Sequence, residues 1–360
     1  MAVGRVNVGG GMLVAPFDQL LKLDESGEFY EAVKEIVSGD GYIYCNQSPQ
    51  SSGTDGRLIY KVDPGSLDVV GQTVLSDFKM GDYARANSNL GYGGGYLYCV
   101  VGDSSTGYYV FKISVSDMRK VASSSPYSVG SSVGKIVAYG NYIYVLGSSG
   151  ATFRQFSADT LAVVADETNL HFNNVVGFGE FVYGVGTVYE NGSPTPRGVF
   201  KVNPNSLDVI DSIEMESART NGYDILCEDG FIYWVGNGSL NSEISIRKLD
   251  ANSLSIIAYK DIAFPVSVSM EKTVTQNGYM FMYISMDYYP EPSERRMLVI
   301  DIKNLKVITK NMKHEGWLPR DSISAGEGFL FGSVAGTKRL LKFLAKPLYF
   351  NKKDREGENK

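Results

Sequence analysis

The stretch Gly39-Asp40-Gly41-Tyr42-Ile43-Tyr44 decides the fold of this chain, because variants of it recur along the whole sequence. Each copy is a glycine-containing turn followed by an aromatic–apolar–aromatic triplet. The seven triplets are Tyr42-Ile43-Tyr44, Tyr96-Leu97-Tyr98, Tyr142-Ile143-Tyr144, Phe181-Val182-Tyr183, Phe231-Ile232-Tyr233, Tyr279-Met280-Phe281 and Phe329-Leu330-Phe331. Consecutive copies start about 39 to 54 residues apart, and self-similarity at such a period indicates a repeat architecture.

Each repeat continues with a second strand pattern and a turn whose sequence also recurs. The segment Asp63-Pro64-Gly65-Ser66-Leu67 matches Asn203-Pro204-Asn205-Ser206-Leu207. The polar residue that opens the turn can accept backbone N–H bonds, and Pro at the next position favours a type I turn. A Leu, or Met118 in one copy, follows four residues after the opening residue. The turns and triplets together predict at least three strands in meander order.

A fourth strand fits before each triplet, as in residues 134–139. Four antiparallel strands in a unit of this length are typical of a β-propeller blade. A degenerate copy, Met12-Leu13-Val14 followed by Leu20 to Asp24, brings the signatures to eight. This opening unit forms either a short eighth blade, which we favour, or strands that close a seven-bladed ring with the C-terminal segment. We therefore predict an all-β fold, a single β-propeller of seven to eight four-stranded blades.

The recurrent turn followed by valines, as in Leu67-Asp68-Val69-Val70, resembles repeats of the broad group of kelch, YVTN and quinoprotein-like propellers. The resemblance covers most of the chain and implies a fold, with no particular function. The Gly-His and Trp-Asp marks of WD40 repeats are absent, as is the double-glycine-plus-tryptophan spelling of kelch repeats. We assign residues 11–350 to the propeller, residues 1–10 to an N-terminal segment for attachment or a first strand, and residues 351–360 to a charged, flexible tail.

The composition narrows the class of protein. The chain has 40 Gly, 24 Tyr and 17 Phe, which suits strands and turns. Its net charge of −6, with acids and bases interspersed, disfavours a nucleic-acid partner. No apolar run is long enough for a membrane span, and the start of the chain has no signal-peptide pattern. The absence of both patterns predicts a protein of the cytoplasm of the producing cell. The three Cys residues, Cys45, Cys99 and Cys227, are predicted to be small buried residues rather than a disulfide framework.

The sequence offers little recognisable chemistry. The two histidines, His171 and His314, lie in separate repeats, and no Asp-x-Asp calcium loop or Gly-x-Ser-x-Gly elbow is present. We therefore expect no metal and no cofactor, and a binding protein rather than an enzyme. A carboxylate pair could still assemble across blades from Glu190, Asp229, Glu294 and Glu327, which sequence alone cannot pair.

Meander order predicts two unlike faces of the disc. Connections from strand one to two and from three to four are short and share one face. The other connections are longer and share the second face, where binding loops are expected. The candidate binding residues fall in these long connections: Arg85, Asn87, Arg219, Asn221, Tyr288, Tyr289, Trp317 and Arg320. Arg and Asn could hold a carboxylate or sugar hydroxyls, and the aromatic rings could stack on sugars. The alternative is that the Arg side chains pair with loop carboxylates and tie blades together, while the aromatic rings only pack.

The N-terminal stretch Gly4-Arg5-Val6-Asn7-Val8-Gly9-Gly10-Gly11 resembles the start of tail-fibre-like and baseplate-associated proteins of phages and prophages of Gram-positive bacteria. The resemblance implies a virion component that docks on the particle or a tail protein through its N-terminal segment and presents its loop-rich face to a host-surface glycan or receptor. An oligomer stays open. Two alternatives stay open: a propeller enzyme of lactonase-like or quinoprotein-like type, and a cytosolic protein-interaction scaffold. The same stretch could also be only the first strand and hairpin of the propeller.

Overall fold

The computed structural model describes residues 22–26, 29, 33–47, 57–75, 90–103, 107–127, 133–147, 153–215, 224–238, 242–287, 294–313, 323–326, 328–333 and 339–344. These residues form strands and turns, and the part of the chain they cover contains no helix. Accordingly, no described helix has the length and apolar character that would be needed to cross a membrane.

The strands form seven separate antiparallel sheets, one for each blade. Blade 1 contains β2 (Val33–Gly39), β3 (Tyr42–Gln47), β4 (Arg57–Val62) and β5 (Val69–Leu75). Blade 2 contains β6 (Leu90–Gly93), β7 (Tyr96–Asp103), β8 (Gly107–Ser114) and β9 (Arg119–Ser123). Blade 3 contains β10 (Val133–Tyr139), β11 (Tyr142–Gly147), β12 (Phe153–Ser157) and β13 (Val163–Glu167).

The remaining blades repeat the same strand order. Blade 4 contains β14 (Leu170–Phe178), β15 (Phe181–Glu190), the short β16 (Ser193–Pro194), β17 (Gly198–Val202) and β18 (Val209–Glu214). Blade 5 contains β19 (Asp224–Glu228), β20 (Phe231–Asn237), β21 (Glu243–Asp250) and β22 (Ile256–Ala263). Blade 6 contains β23 (Ser267–Gln276), β24 (Tyr279–Asp287), β25 (Glu294–Asp301) and β26 (Lys306–Lys313). Blade 7 contains β27 (Ile323–Gly326), β28 (Phe329–Ser333), β29 (Leu340–Leu344) and β1 (Lys22–Glu25).

The ring closes with a strand from the start of the chain. Strand β1 pairs antiparallel with β29, with Glu25 opposite Leu341. Just beyond it, Ser26 N donates to Leu340 O at 2.9 Å and Ser26 Oγ accepts from Leu340 N at 2.9 Å. The structure therefore has seven blades, and the opening repeat supplies a closing strand. The closing alternative is confirmed, and the eighth blade that we favoured is wrong.

The triplet aromatic rings serve packing between blades. Seven hydrophobic clusters lie at the seven seams between consecutive blades. The third residue of every triplet is at most 2 % exposed and belongs to the seam with the following blade: Tyr44, Tyr98, Tyr144, Tyr183, Tyr233, Phe281 and Phe331. Close approach of the innermost strands also requires glycine, since a Cβ at Gly177 would lie 1.9 Å from the Tyr139 ring. The repeat motif is thus the scaffold of the ring.

The recurrent turn between the third and fourth strands has the predicted hydrogen bonds. Asp63 Oδ1 accepts from Gly65 N and Ser66 N, each at 2.8 Å, and these bonds lower the pKa of the Asp63 carboxyl. Leu67 N donates to Asp63 O at 2.8 Å, and Leu67 has a φ of 60°. The equivalent residues also have positive φ and are buried: Met118, Leu161, Leu207, Leu254 and Leu305. Burial of this side chain in a seam offsets an unfavourable backbone conformation.

The cysteines are free, as predicted. Cys45 and Cys99 occupy equivalent buried positions after their triplets, whereas Cys227 is only half-buried. Burial raises the pKa of the Cys45 thiol to about 12 and that of the Cys227 thiol to about 11. The Cys45 and Cys227 thiols are therefore protonated at neutral pH.

Candidate functional site on the elaborated face

Strand order separates the two faces as predicted. The face with the strand one-to-two hairpins and the strand three-to-four turns, which we call the plain face, is built from short repeated connections. On the opposite face, which we call the elaborated face, the longest connections are 48–56, 76–89, 124–132, 215–223 and 314–322. Three connections on that face have no more than three residues: 104–106, 168–169 and 264–266. The elaboration is thus concentrated at particular blades.

The eight candidate binding residues predicted from sequence lie outside the described residues. They are Arg85, Asn87, Arg219, Asn221, Tyr288, Tyr289, Trp317 and Arg320. By chain order, all eight belong to connections of the elaborated face. Their role in binding stays a prediction.

One elaborated connection is described in full and forms an ordered protrusion on blade 4. Strand β15 extends beyond its pairing with β17 and folds back through β16, with Tyr189 opposite Pro194 and Glu190 opposite Ser193. The tip residues Asn191 and Gly192 have φ values of 53° and 78°, as a type I′ turn requires. We call residues 187–197 the blade 4 arm.

Hydrogen bonds and ring packing hold the arm at its base. Tyr189 N donates to Asn169 O at 2.8 Å, and Thr195 N donates to Val188 O at 2.7 Å. Thr195 Oγ1 also accepts from Val188 N at 3.1 Å. The His171 and Tyr189 rings lie 4.3 Å apart between centroids, and both side chains are half-buried. The arm is therefore a preformed projection whose tip, residues 190–194, is exposed.

A belt of polar residues lies toward the elaborated end of the innermost strands of blades 1, 3, 4, 5 and 6. Glu35, Lys135, Asn174, Asp224 and Lys272 each lie opposite the fifth residue of the neighbouring second strand. Lys135 Nζ donates to Asn174 Oδ1, and Asn174 Nδ2 donates to Asp224 Oδ1. The belt continues into the next blades through backbone N–H groups, which donate to Asp224 Oδ2 at 3.2 Å and to Glu35 Oε2 at 2.6 Å. Most belt side chains thus tie one blade to the next.

A second set of polar contacts crosses the seams near the plain face. In five blades, a Lys on the third strand donates to a carbonyl oxygen in the strand three-to-four turn of the next blade. The pairs are Lys61 with Val115, Lys112 with Ala158, Lys201 with Asn252, Lys248 with Ile302 and Lys342 with Gly65, at 2.8, 2.8, 2.9, 3.4 and 3.4 Å. Each ammonium also lies 3.8 to 4.2 Å from the centroid of the first triplet ring of its own blade. We call this contact the seam clasp.

Blades 3 and 6 depart from the clasp. In blade 3, Gln155 takes the place of the Lys and donates to Pro204 O. In blade 6 the position is Val299, which pairs with Phe281 as Lys61 pairs with Tyr44. The clasp was not predicted from the sequence. Its signal was a Lys two residues before the polar residue that opens the turn, as in Lys61-Val62-Asp63.

The described residues offer no metal-binding cluster, since no three of their His, Cys, Asp or Glu side chains converge. Of the four carboxylates proposed for glycosidase chemistry, Glu190 lies in the blade 4 arm and Asp229 in a plain-face hairpin. These two groups are on opposite faces and cannot act as a pair. Glu294 begins β25, and Glu327 lies outside the described residues. His171 contacts Thr168 O at 2.9 Å, and His314 also lies outside the described residues.

No protein-family model and no curated protein matches the sequence. Solved structures match the fold. The match to BamB from Moraxella catarrhalis spans 90% of this chain and 99% of the BamB chain, with a TM-score of 0.52 and 10% identity. The β-propeller domain of Cps50 (Swd1) from Myceliophteria thermophila covers 90% and 100%, with a TM-score of 0.63 and 8% identity. The WD40 β-propeller domain of Doa1 covers 91% and 98%, with a TM-score of 0.55 and 9% identity. At these identities the likeness establishes only the fold, and the chain is a seven-bladed β-propeller.

Proposed function

We propose that this protein is a non-enzymatic binding and structural propeller that engages a macromolecular partner through its elaborated face. The observation that carries the proposal is the contrast between the two faces. The plain face repeats a short hairpin in every blade and a short turn in six of them, while the long connections and the blade 4 arm fall on the other face. Binding residues are commonly placed on loops held by a rigid scaffold.

The polar groups inside the ring support the same proposal. In the described part of the chain, the clasp lysines and most belt residues are engaged in contacts between blades. Side chains committed to such contacts are not available to bind a substrate in the channel. Recognition is then left to the exposed residues of the elaborated face.

We further propose that the protein is a phage or phage-derived tail component. This role is motivated by the resemblance of Gly4 to Gly11 to tail-fibre-like proteins, and it makes a virion protein one partner and a host-surface glycan or receptor the other. Arg85, Arg219 and Arg320 would grip carboxylates or hydroxyls of that ligand, with Tyr288, Tyr289 and Trp317 stacking on sugar rings. Genes for tail sheath, tape measure or lysin beside this gene would support the role, and a metabolic operon would refute it.

The binding proposal can be tested with charge-matched variants. We would replace Arg85, Arg219 and Arg320 by Ala and compare this protein with a plain-face variant in which Arg119, Lys303 and Lys306 become Ala. Both variants lose three positive charges, so a general electrostatic effect would appear in both. The proposal expects loss of binding to host cells and glycan arrays only in the first variant. Equal binding by both folded variants would refute the Arg assignment.

A separate variant tests the blade 4 arm. Replacing Glu190 and Ser193 by Ala and Asn191 by Gly removes the exposed side chains of the tip and leaves the base of the arm, where Tyr189 contacts Asn169 and His171. We expect weaker binding with unchanged thermal stability. The enzyme alternative is addressed by the purified wild-type protein, since a stoichiometric bound metal or quinone would refute the binding-module proposal as a whole.

A further inference from the structure

The closure of the ring has a consequence for the seam between blades 6 and 7. Blade 7 takes its outermost strand, β1, from the start of the chain, so β29 is not joined to it by a strand three-to-four turn. Every other blade has that turn. The turn provides two things to the preceding seam, namely a buried Leu or Met at positive φ and the carbonyl oxygen that accepts the clasp.

Among the described residues, both contributions are missing at the 6–7 seam. Its hydrophobic cluster, which includes Phe281, Val299 and Leu330, contains no turn leucine, whereas each of the other six clusters contains one turn Leu or Met. Val299 occupies the position of the clasp Lys, which is consistent with the absence of a carbonyl acceptor in blade 7. A Lys there would be a buried cation without a partner, which is strongly unfavourable.

The polar belt also makes no described contact across this seam, although its blade 6 residue is described; the belt positions of blades 2 and 7 lie outside the described residues. In blades 1, 3, 4 and 5 the belt side chain bonds to the following blade. Lys272, the belt residue of blade 6, makes no hydrogen bond or ion pair with another described residue. Neither of the two recurring polar devices therefore connects blade 6 to blade 7 among the residues that the structure describes.

The 7–1 seam, where the two ends of the ring meet, is well connected by contrast. Lys342 clasps Gly65 O, and Ser38 Oγ donates to Ala325 O at 2.5 Å. Phe331 and Leu340 of blade 7 pack with Phe29, Leu67 and other residues of the blade 1 side. Blade 7 is thus fastened to blade 1 more securely than to blade 6.

We propose that the propeller opens at the seam between blades 6 and 7, with blade 7 remaining attached to blade 1. The closing strand makes the ring continuous but moves the weakest seam one blade away from the junction of the termini. Opening would expose the apolar faces of blades 6 and 7 and give lateral access to the channel. The ring thus contains a conformational gate that does not depend on the proposed binding function.

Native-state thiol labelling can test this proposal at three matched positions. The three positions are Met297 in the 6–7 seam, Leu340 in the 7–1 seam and Ile246 in the 5–6 seam. Each lies on the third strand of its blade, opposite the fifth residue of the second strand, and is at most 1 % exposed. Each would be replaced by Cys in a background with the three native cysteines changed to Ala or Val. When opening and closing are fast, the labelling rate follows the population of the open state.

We expect Met297→Cys to react at least tenfold faster than Leu340→Cys and Ile246→Cys, which corresponds to about 1.4 kcal/mol in opening free energy. Equal rates, or fastest labelling of Leu340→Cys, would overturn the proposal. If Met297→Cys does not fold, Val299→Cys reports on the same seam with a smaller change in volume. Adding Lys248→Met to Ile246→Cys removes the 5–6 clasp and should raise labelling there toward the Met297→Cys rate, and an unchanged rate would also count against the proposal.

Discussion

Replacement of Lys201 by Met is the most direct test of the seam clasp. Lys201 is 6 % exposed, its Nζ lies 2.9 Å from Asn252 O, and the Phe181 ring centroid is 4.2 Å from the ammonium. A hydrogen bond to a charged group contributes about 1.5–3 kcal/mol and a cation–π contact about 0.5–2 kcal/mol. The cost of desolvating the ammonium offsets part of both contributions, and Met retains the aliphatic packing. We therefore expect a net loss of about 1–2 kcal/mol in the free energy of unfolding.

Urea denaturation followed by tryptophan fluorescence measures this loss. For a protein of this size, with an m-value of about 3–4 kcal/mol per M, the midpoint should fall by about 0.3–0.6 M. The Lys201→Gln variant should lie between Met and wild type, because Gln155 already makes the equivalent contact in blade 3. Lys303→Met, at an exposed plain-face position, should shift the free energy by less than about 0.5 kcal/mol. A Lys201→Met protein as stable as wild type would refute the clasp, as would a Gln variant less stable than Met.

Three further predictions follow from single positions. Leu254 is buried at a φ of 51°, so Leu254→Ala should lower the free energy of unfolding by about 2–3 kcal/mol. Leu254→Gly should lower it by about 1 kcal/mol less than Leu254→Ala does, because Gly adopts positive φ without strain. A larger loss for the Gly variant in urea denaturation would contradict this. Gly177→Ala should lower the melting temperature through a clash with the Tyr139 ring, and Gly71→Ala, whose nearest neighbour would be the flexible Met118 side chain at 3.0 Å, should lower it less; an equal or larger effect at Gly71 would contradict this. The Cys45 thiol, with its pKa raised to about 12, should resist Ellman's reagent in the native protein at pH 8. The thiol of the unfolded chain ionises near pH 8.5, whereas the buried native thiol stays protonated. The stability that burial of this thiol contributes is therefore present below pH 8.5 and is lost as the pH rises toward 12. Cys45→Val should therefore reduce the alkaline loss of stability, and an unchanged pH profile would contradict the assignment.

Much of the fold could be predicted because it depends on local patterns. A glycine followed by an aromatic–apolar–aromatic triplet encodes a tight hairpin and a strand. The segment Asp63-Pro64-Gly65-Ser66-Leu67 encodes a turn in which the Asp63 carboxylate accepts backbone N–H bonds. Repetition of these units at a blade-sized interval leaves few architectures other than a propeller. The two unlike faces follow from strand order alone.

The number of blades and the contacts between them could not be predicted in the same way. The segment around Leu20 to Asp24 has the sequence pattern of a blade strand. Its place in blade 7 is decided by pairing with β29, which lies near the other end of the chain. Lys201 looks like any strand lysine until the fold brings Asn252 of the next blade to its ammonium. The candidate Arg and aromatic residues of the elaborated face stay predictions, because they lie outside the described residues.

The sequence by itself therefore determined the repeating unit, its strand order and the face on which insertions accumulate, since hairpins and turns are local and each copy carries its own signals. Only the tertiary structure decided the blade count, the clasps and belt, and the exceptional 6–7 seam. The physical reason is that closure joins residues from opposite ends of the chain. A strand supplied from the other end can complete the hydrogen-bond ladder of blade 7, but it cannot supply the connecting turn on which the other seams rely.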